Sequence, residues 1–168
     1  MFLWIVILGH NGVINSTLPS LGILDEPLGF LLFNVQAMVI TLAHAYAPFA
    51  ILPIYVALEK IDRSLLEAGR DLGESRLMTF WRVTLPLAMP GVIAATLIVF
   101  IPTIGDYVTP ELIGGGKMPM VAIMVQANML ALDNKPMGSA LAVTAMLIVA
   151  VVSIIFLFLN RRFLRVKQ

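Results

Sequence analysis

Asp62–Pro86 reads DRSLLEAGRDLGESRLMTFWRVTLP. The stretch carries most of the interior charge of the chain and lies between two apolar segments long enough to cross a bilayer. Ser64 followed by Glu67 fits a capping box, in which a hydroxyl and a carboxylate satisfy the amides that open a helix. Asp62, just upstream, is a rival N-cap. Leu65, Leu66, Ala68 and Leu72 give the segment one apolar side, and Glu67 and Arg70 are spaced as an i,i+3 ion pair. Gly73 suits a left-handed helix stop. A second helical stretch, Glu74 to Thr84, then leads to Pro86. The pattern predicts helix, tight turn and helix on a membrane surface. The plainer alternative is an ordinary connector between spans.

Composition supports the membrane setting. The chain has 168 residues, 60% of them hydrophobic and 12% charged, with a mean hydropathy of +0.95. A soluble domain averages about 25% charged residues, so an integral membrane protein is expected. The net charge of +1 provides no basic field for nucleic acid. With no cysteine, disulfides, thiolate metal sites and cysteine catalysis are excluded. The N-terminus, MFLWIVILGHNG, lacks the basic start and small-residue cleavage site of a signal peptide.

Outward from the loop, Phe30–Leu58 and Leu87–Tyr107 read as full spans. Pro48 and Pro53 should kink or loosen the first, and Pro86 and Pro90 suit the start of the second. Gly138–Leu159 reads as a third. Met1–Leu8 rises only about 12 Å as a helix, against about 30 Å of hydrocarbon, and reads as the last turns of a fourth. Trp4 is an interfacial anchor or simply packing. Between Gly9 and Gly29, Asn11-Gly12 signals a turn and Ser20–Leu24 a short surface helix. Asn15-Ser16-Thr17 matches a glycosylation sequon, read as incidental. Met118–Leu132 is apolar but about 22 Å long, which predicts a re-entrant or interfacial helix with its methionines in adaptable packing.

Charge fixes the topology. The loop holds Lys60, Arg63, Arg70, Arg76 and Arg82. The tail holds Arg161, Arg162, Arg165 and Lys167, while the other connections hold only Lys117 and Lys135. Nine cations against two place loop and tail in the cytoplasm. A spanning Met118–Leu132 would put the tail outside, so the re-entrant reading is preferred. The expectation is an all-α integral membrane protein. It has three full transmembrane helices (about 30–58, 87–107 and 138–159), a partial N-terminal one, a cytoplasmic helix–turn–helix over 59–86 and a short exterior helix over about 118–132.

No enzyme site is evident. His10 and His44 lie far apart, with no acidic cluster beside either and no metal-ligand spacing. His44 lies mid-span, where an ionisable group is a functional candidate; the alternative is a neutral histidine bonded to a neighbouring helix carbonyl. Gly114-Gly115-Gly116-Lys117 is not a phosphate loop, because Met118 replaces the Ser or Thr that would follow the lysine. Asp25, Glu26, Asp106, Glu111 and Asp133 make the predicted outer side acidic, which favours a cationic solute. Asp106 follows a proline-containing span and is expected at a pathway mouth, with Tyr107 as a cation–π face. The alternative for Asp106 is a helix-end carboxylate in water.

The spacing of Glu67-Ala68-Gly69, Gly73 and Val83-x-Leu85-Pro86 resembles the EAA loop of the binding-protein-dependent, MetI-like permeases of ABC importers. That loop runs Glu-Ala-Ala, three residues, Gly, nine residues, Ile-x-Leu-Pro. Gly69 and Val83 are the departures. Phe100–Gly116, Asn11–Asn15 and Leu58–Asp62 further resemble the PotB-type group of spermidine/putrescine permeases. After Leu132 the likeness weakens, with Lys135 before Pro136 where an aromatic is common. The resemblance implies that Glu67, Ala68, Gly69, Gly73, Val83, Leu85 and Pro86 couple the permease to an ATPase subunit. ATP and magnesium would be bound by that subunit, with no cofactor in this chain. It also implies a second permease subunit, a periplasmic or extracellular solute-binding protein, and inward transport by alternating access across the bacterial inner membrane. Asp106, Tyr107, Glu111 and His44 are the pathway candidates. The implied permease has six spans, so the chain reads as a single truncated permease domain: a fragment, a misplaced start or a degenerate gene. Open alternatives are another solute, such as an opine or amino-acid derivative, and a non-transporting membrane fragment.

Overall fold

The computed structural model describes residues 2–9, 11–23, 26, 28, 31, 33–115 and 119–164. The expectations for His10, Asp25, Gly116, Lys117, Met118, Arg165 and Lys167 fall outside these. In chain order the helices are α1 (Phe2–Leu8), α2 (Val13–Ser20), α3 (Val35–Glu59), α4 (Arg63–Asp71), α5 (Arg76–Thr79), α6 (Leu85–Ile104), α7 (Val108–Leu112), α8 (Val121–Gln126) and α9 (Lys135–Leu164). A π-helical turn, Phe80–Thr84, joins α5 to α6, and another, Ala127–Ala131, ends α8. No strand occurs among the described residues.

Three helical segments are long and apolar enough to cross a membrane: Val35–Glu59, Arg76–Ile104 and Lys135–Leu159. Their limits differ from those expected, for local reasons. The first begins at Val35 because Asn34 Oδ1 accepts the Ala37 amide at 2.7 Å and caps it. It runs unbroken through Pro48 and Pro53. The second has no separate start at Pro86, since the backbone is already helical from Arg76. It stops at Ile104, short of the expected Tyr107, as Gly105 and Asp106 turn back onto the Pro102 and Thr103 carbonyls. The third opens at Lys135, earlier than Gly138, because Asn134 Oδ1 accepts the Met137 amide at 3.3 Å. The exterior helix starts at Val121 rather than Met118, after extended backbone at Met120. With its π turn it rises about 16 Å, too short to span. The helix near the N-terminus is Val13–Ser20; Leu21 and Gly22 form its end, where Ser20–Leu24 was expected to begin one.

The chain divides into two compact units, one of residues 1–46 and 102–147, the other of 47–101 and 148–168. In the first, Leu8, Ala37, Met38 and Ile113 form a buried cluster with Trp4, Ile5, Ile14 and Met120 packed against it. Asn15 is buried beside it. Its Nδ2 donates to the Gly9 and Leu28 carbonyls at 3.2 Å each, and its Oδ1 accepts the Leu28 amide at 2.8 Å. The sequon asparagine is thus an internal staple. Met129 packs on Gly138, as expected of an adaptable side chain.

In the second unit α3 and α6 meet at Gly91. A Cβ there would overlap the Ala57 side chain and stand 2.6 Å from the Pro53 carbonyl oxygen. The Pro53 and Ala57 turn of α3 therefore packs on bare backbone. Gly91→Leu is expected to force the pair apart and cost about 1–3 kcal/mol, the usual penalty of overpacking. Denaturant unfolding in lipid micelles would register it.

Candidate functional site

The hairpin from Asp62 to Leu85 is built by caps. Asp62 Oδ1 accepts the Ser64 amide at 2.9 Å, which settles the competition in favour of Asp62. Ser64 lies inside the first turn and forms no capping box with Glu67. The Ser64 amide and hydroxyl hold the Asp62 carboxyl below its ordinary pKa. The cap is therefore fully present above the ordinary carboxylate value and is lost as pH falls through the lowered one. At the other end of α4, Leu72, Gly73 and Glu74 amides donate to the Ala68, Arg70 and Gly69 carbonyls. Gly73 is left-handed, φ +81°, as its position predicted. Ser75 Oγ then accepts the Met78 amide at 3.3 Å and opens α5, so the second helical stretch begins at Arg76, not Glu74.

Gly69 explains how the arms close. It is buried, and a Cβ on it would lie 3.3 Å from Thr79 Cγ2 and 3.4 Å from Thr79 Oγ1. Thr79 is itself 5% exposed. The glycine that replaces the second Ala of the motif thus allows α4 to rest directly on α5. Glu67 and Ala68 face outward from this contact, and Val83, Leu85 and Pro86 are half-buried. The expected Glu67–Arg70 pair does not form. Among the described residues the ion pairs are Arg82–Glu74 at 2.8 Å and Lys135–Asp133 at 3.4 Å. Both Glu67 and Arg70 are exposed, and water solvates them as well as they would each other.

The tip and second arm of the hairpin leave large apolar side chains uncovered by the chain itself: Leu72 at 84% exposure, with Leu77 at 69% and Trp81 at 59% inside the apolar segment Arg76–Ile104. A polar connector has no need of them; such patches mark surfaces that meet a partner or a membrane.

The sequence profile of the binding-protein-dependent transport system inner membrane component matches residues 1–165. The chain belongs to that family. Its members are transport components, not enzymes. Over 156 residues the chain is 38% identical to the spermidine/putrescine transport system permease protein PotB of Haemophilus influenzae, covering 93% of this chain and 54% of that protein. It is 34% identical to the protein of the same name from Escherichia coli K12, over 90% of this chain and 54% of that one. The inner membrane ABC transporter permease protein YdcU of E. coli K12 is 32% identical, over 89% and 50%. The chain spans about half the length of these curated relatives.

In this member of the transport family, Asp106, Glu111 and His44 among the pathway candidates each bond a different partner. Asp106 Oδ1 accepts the Val108 and Thr109 amides at 3.0 and 3.1 Å, and Oδ2 accepts the Thr109 hydroxyl at 2.6 Å. It is a helix-end carboxylate that fixes α7, over the fully buried Thr109 and Pro110. Tyr107 is exposed beside it. Glu111 Oε2 receives a long bond, 3.4 Å, from Gln126. His44 accepts the Trp4 indole N–H on Nδ1 at 3.3 Å, with the rings edge to face at 5.4 Å. Its partner is therefore a side chain of α1, not a helix carbonyl, and Trp4 is packing.

One group was missed. The Tyr46 hydroxyl bonds the Thr103 side chain and feels the Asp106 charge, so Tyr46 belongs with Thr103, Asp106 and Thr109. Its separation from them in sequence hid it.

Two substitutions test these assignments. Gly73→Ala is expected to cost about 1 kcal/mol, because a Cβ disfavours the left-handed turn although space is open around it; Gly73→Asn should cost less. Denaturant titration compares the two. Asp106→Ala should destabilise α7 by about 1 kcal/mol as a lost cap. Hydrogen exchange at Val108 and Thr109 would accelerate accordingly, and unchanged exchange would remove the capping role.

Proposed function

We propose that this chain is a permease subunit of an ABC importer that moves a small cationic solute of the polyamine class, such as spermidine or putrescine, inward by alternating access. The hairpin would be the cytoplasmic coupling loop. Its α4 arm, with Glu67, Ala68 and Gly73, would seat in a separate ATPase subunit that binds ATP and magnesium. Val83, Leu85 and Pro86 would carry motion into α6. A second permease subunit would complete the pathway, and a solute-binding protein would deliver to the outer face of the bacterial inner membrane. Loop and C-terminus are taken as cytoplasmic from the distribution of cations.

The observation that carries this reading is the exposed apolar tip on a hairpin whose interior is otherwise closed. Leu72 and Leu77 lie open beside the outward-facing Glu67 and Ala68. That combination suits a rigid plug entering a protein cleft. The polyamine assignment is supported by the names of the relatives. A second reading, the same machinery with another solute, is favoured by Asp106. Of the five acids from which cation preference was argued, Asp106, the one expected at the pathway mouth, already accepts three hydrogen bonds.

Co-expression with the cognate ATPase and permease subunits tests the proposal. The unmodified chain is expected to retain the ATPase on purification. A Glu67→Lys, Gly73→Leu variant is expected to retain it about tenfold less, the scale of one misplaced interfacial charge. Equal retention by both would remove the coupling assignment.

A further inference from the structure

Glu74 is not among the residues of the EAA motif, yet it touches both arms of the hairpin. Its backbone amide donates to the Gly69 carbonyl at 3.1 Å and so closes α4. Its carboxylate Oε1 accepts from Arg82 Nη1 at 2.8 Å, eight residues on and inside the π turn that leads into α6. Its Oε2 lies 3.7 Å from where a Cβ on Gly69 would stand. The Glu74 side chain is 20% exposed and that of Arg82 63%, whereas Lys135 and Asp133 in the other ion pair are 74% and 83% exposed. One residue thus holds the outer arm by main chain and the span-side arm by side chain.

The backbone between those arms has a weak point. In the π turn the Leu85 amide reaches back five residues, to the Phe80 carbonyl. Pro86 follows directly and donates no bond. A load applied to α4 would be absorbed there as bending unless side chains bridge the turn. The Gly69–Thr79 contact cannot brace it, because Thr79 lies on the near side of the turn. Arg82 lies within it, and a planar guanidinium is shaped to hold a carboxylate in fixed geometry.

We propose that Glu74 is a positioning residue of the loop. With Arg82 it ties α4 to the first half of the turn that precedes α6, so that the arm and the entry of the turn move as one body. The proposal rests on the reading of α4 as the ATPase-facing arm.

The test uses Glu74→Gln, Arg82→Gln and the double variant, each in the complete chain co-assembled with its partner permease and ATPase subunits in nanodiscs. The first readout is hydrogen exchange over Leu72–Leu85. The second is the ratio of binding-protein-stimulated to basal ATP hydrolysis. Each single variant is expected to exchange about threefold faster at Leu72–Glu74 and in the π turn, the scale of a partly exposed ion pair. The double variant should be no faster than either single one, because both remove the same interaction. ATPase retention should be unchanged while the stimulation ratio falls. Unchanged exchange, or effects that simply add in the double variant, would overturn the tie. Faster exchange with an unaltered stimulation ratio would overturn its positioning role and leave the assignment of α4 intact. If the unmodified chain fails to retain the ATPase, the assignment of α4 falls, and the proposal with it.

Discussion

Hydrocarbon offers no hydrogen bonds to a peptide group, and the fold depends on that constraint. Within the spans every amide must find its partner in the helix itself. The difficulty moves to the ends, where the first amides of each helix have no carbonyl to meet. Here the chain supplies side-chain oxygens. Asn34, Asp62, Ser75, Asp106 and Asn134 each accept an amide at or near the start of a helix. These caps set where spans begin and where the chain turns. Asp106 illustrates the priority: the acid best placed for a pathway mouth is held in closing a five-residue helix.

The two π turns belong to the same economy of backbone bonds. Each lies where a regular ladder must stop or change register. One precedes Pro86. The other ends α8, where Leu132 reaches back to Ala127 and Asp133 adopts a left-handed conformation, φ +47°. Asp tolerates that region better than most residues because its short side chain bonds locally. The hairpin between α3 and α6 is closed from within, by the Gly69–Thr79 contact and the Glu74–Arg82 pair.

How much of this was legible follows from the range of each interaction. The spans and the turn at Gly73 were readable, because hydropathy and a left-handed stop are local properties. The contest between Asp62 and Ser64 was visible but not decidable. Both side chains can cap, and the outcome depends on which residue leaves the helix with extended backbone, φ −64° and ψ 127° at Asp62. The start of α5 was misplaced because Glu74 is a good helix former and Ser75 a better cap. Contacts across the fold left no trace in spacing. Trp4 and His44 are 40 residues apart, Asn15 and Leu28 are 13 apart, and Glu74 meets Arg82 over a turn whose geometry must be known first.

Helix α9 runs for 30 residues, or about 45 Å, through a hydrocarbon layer about 30 Å thick. The excess lies mostly at its C-terminal end, where Asn160, Arg161 and Arg162 follow the apolar stretch. Arg161 folds over the Phe158 ring at 4.5 Å from its centroid. An aromatic ring and a guanidinium held together favour the headgroup level, one face in acyl chains and the other among phosphates. A pair of that kind at one end of a helix longer than the hydrocarbon layer would act as a depth gauge: with that end held at the interface, thinning or thickening of the membrane would be taken up as tilt.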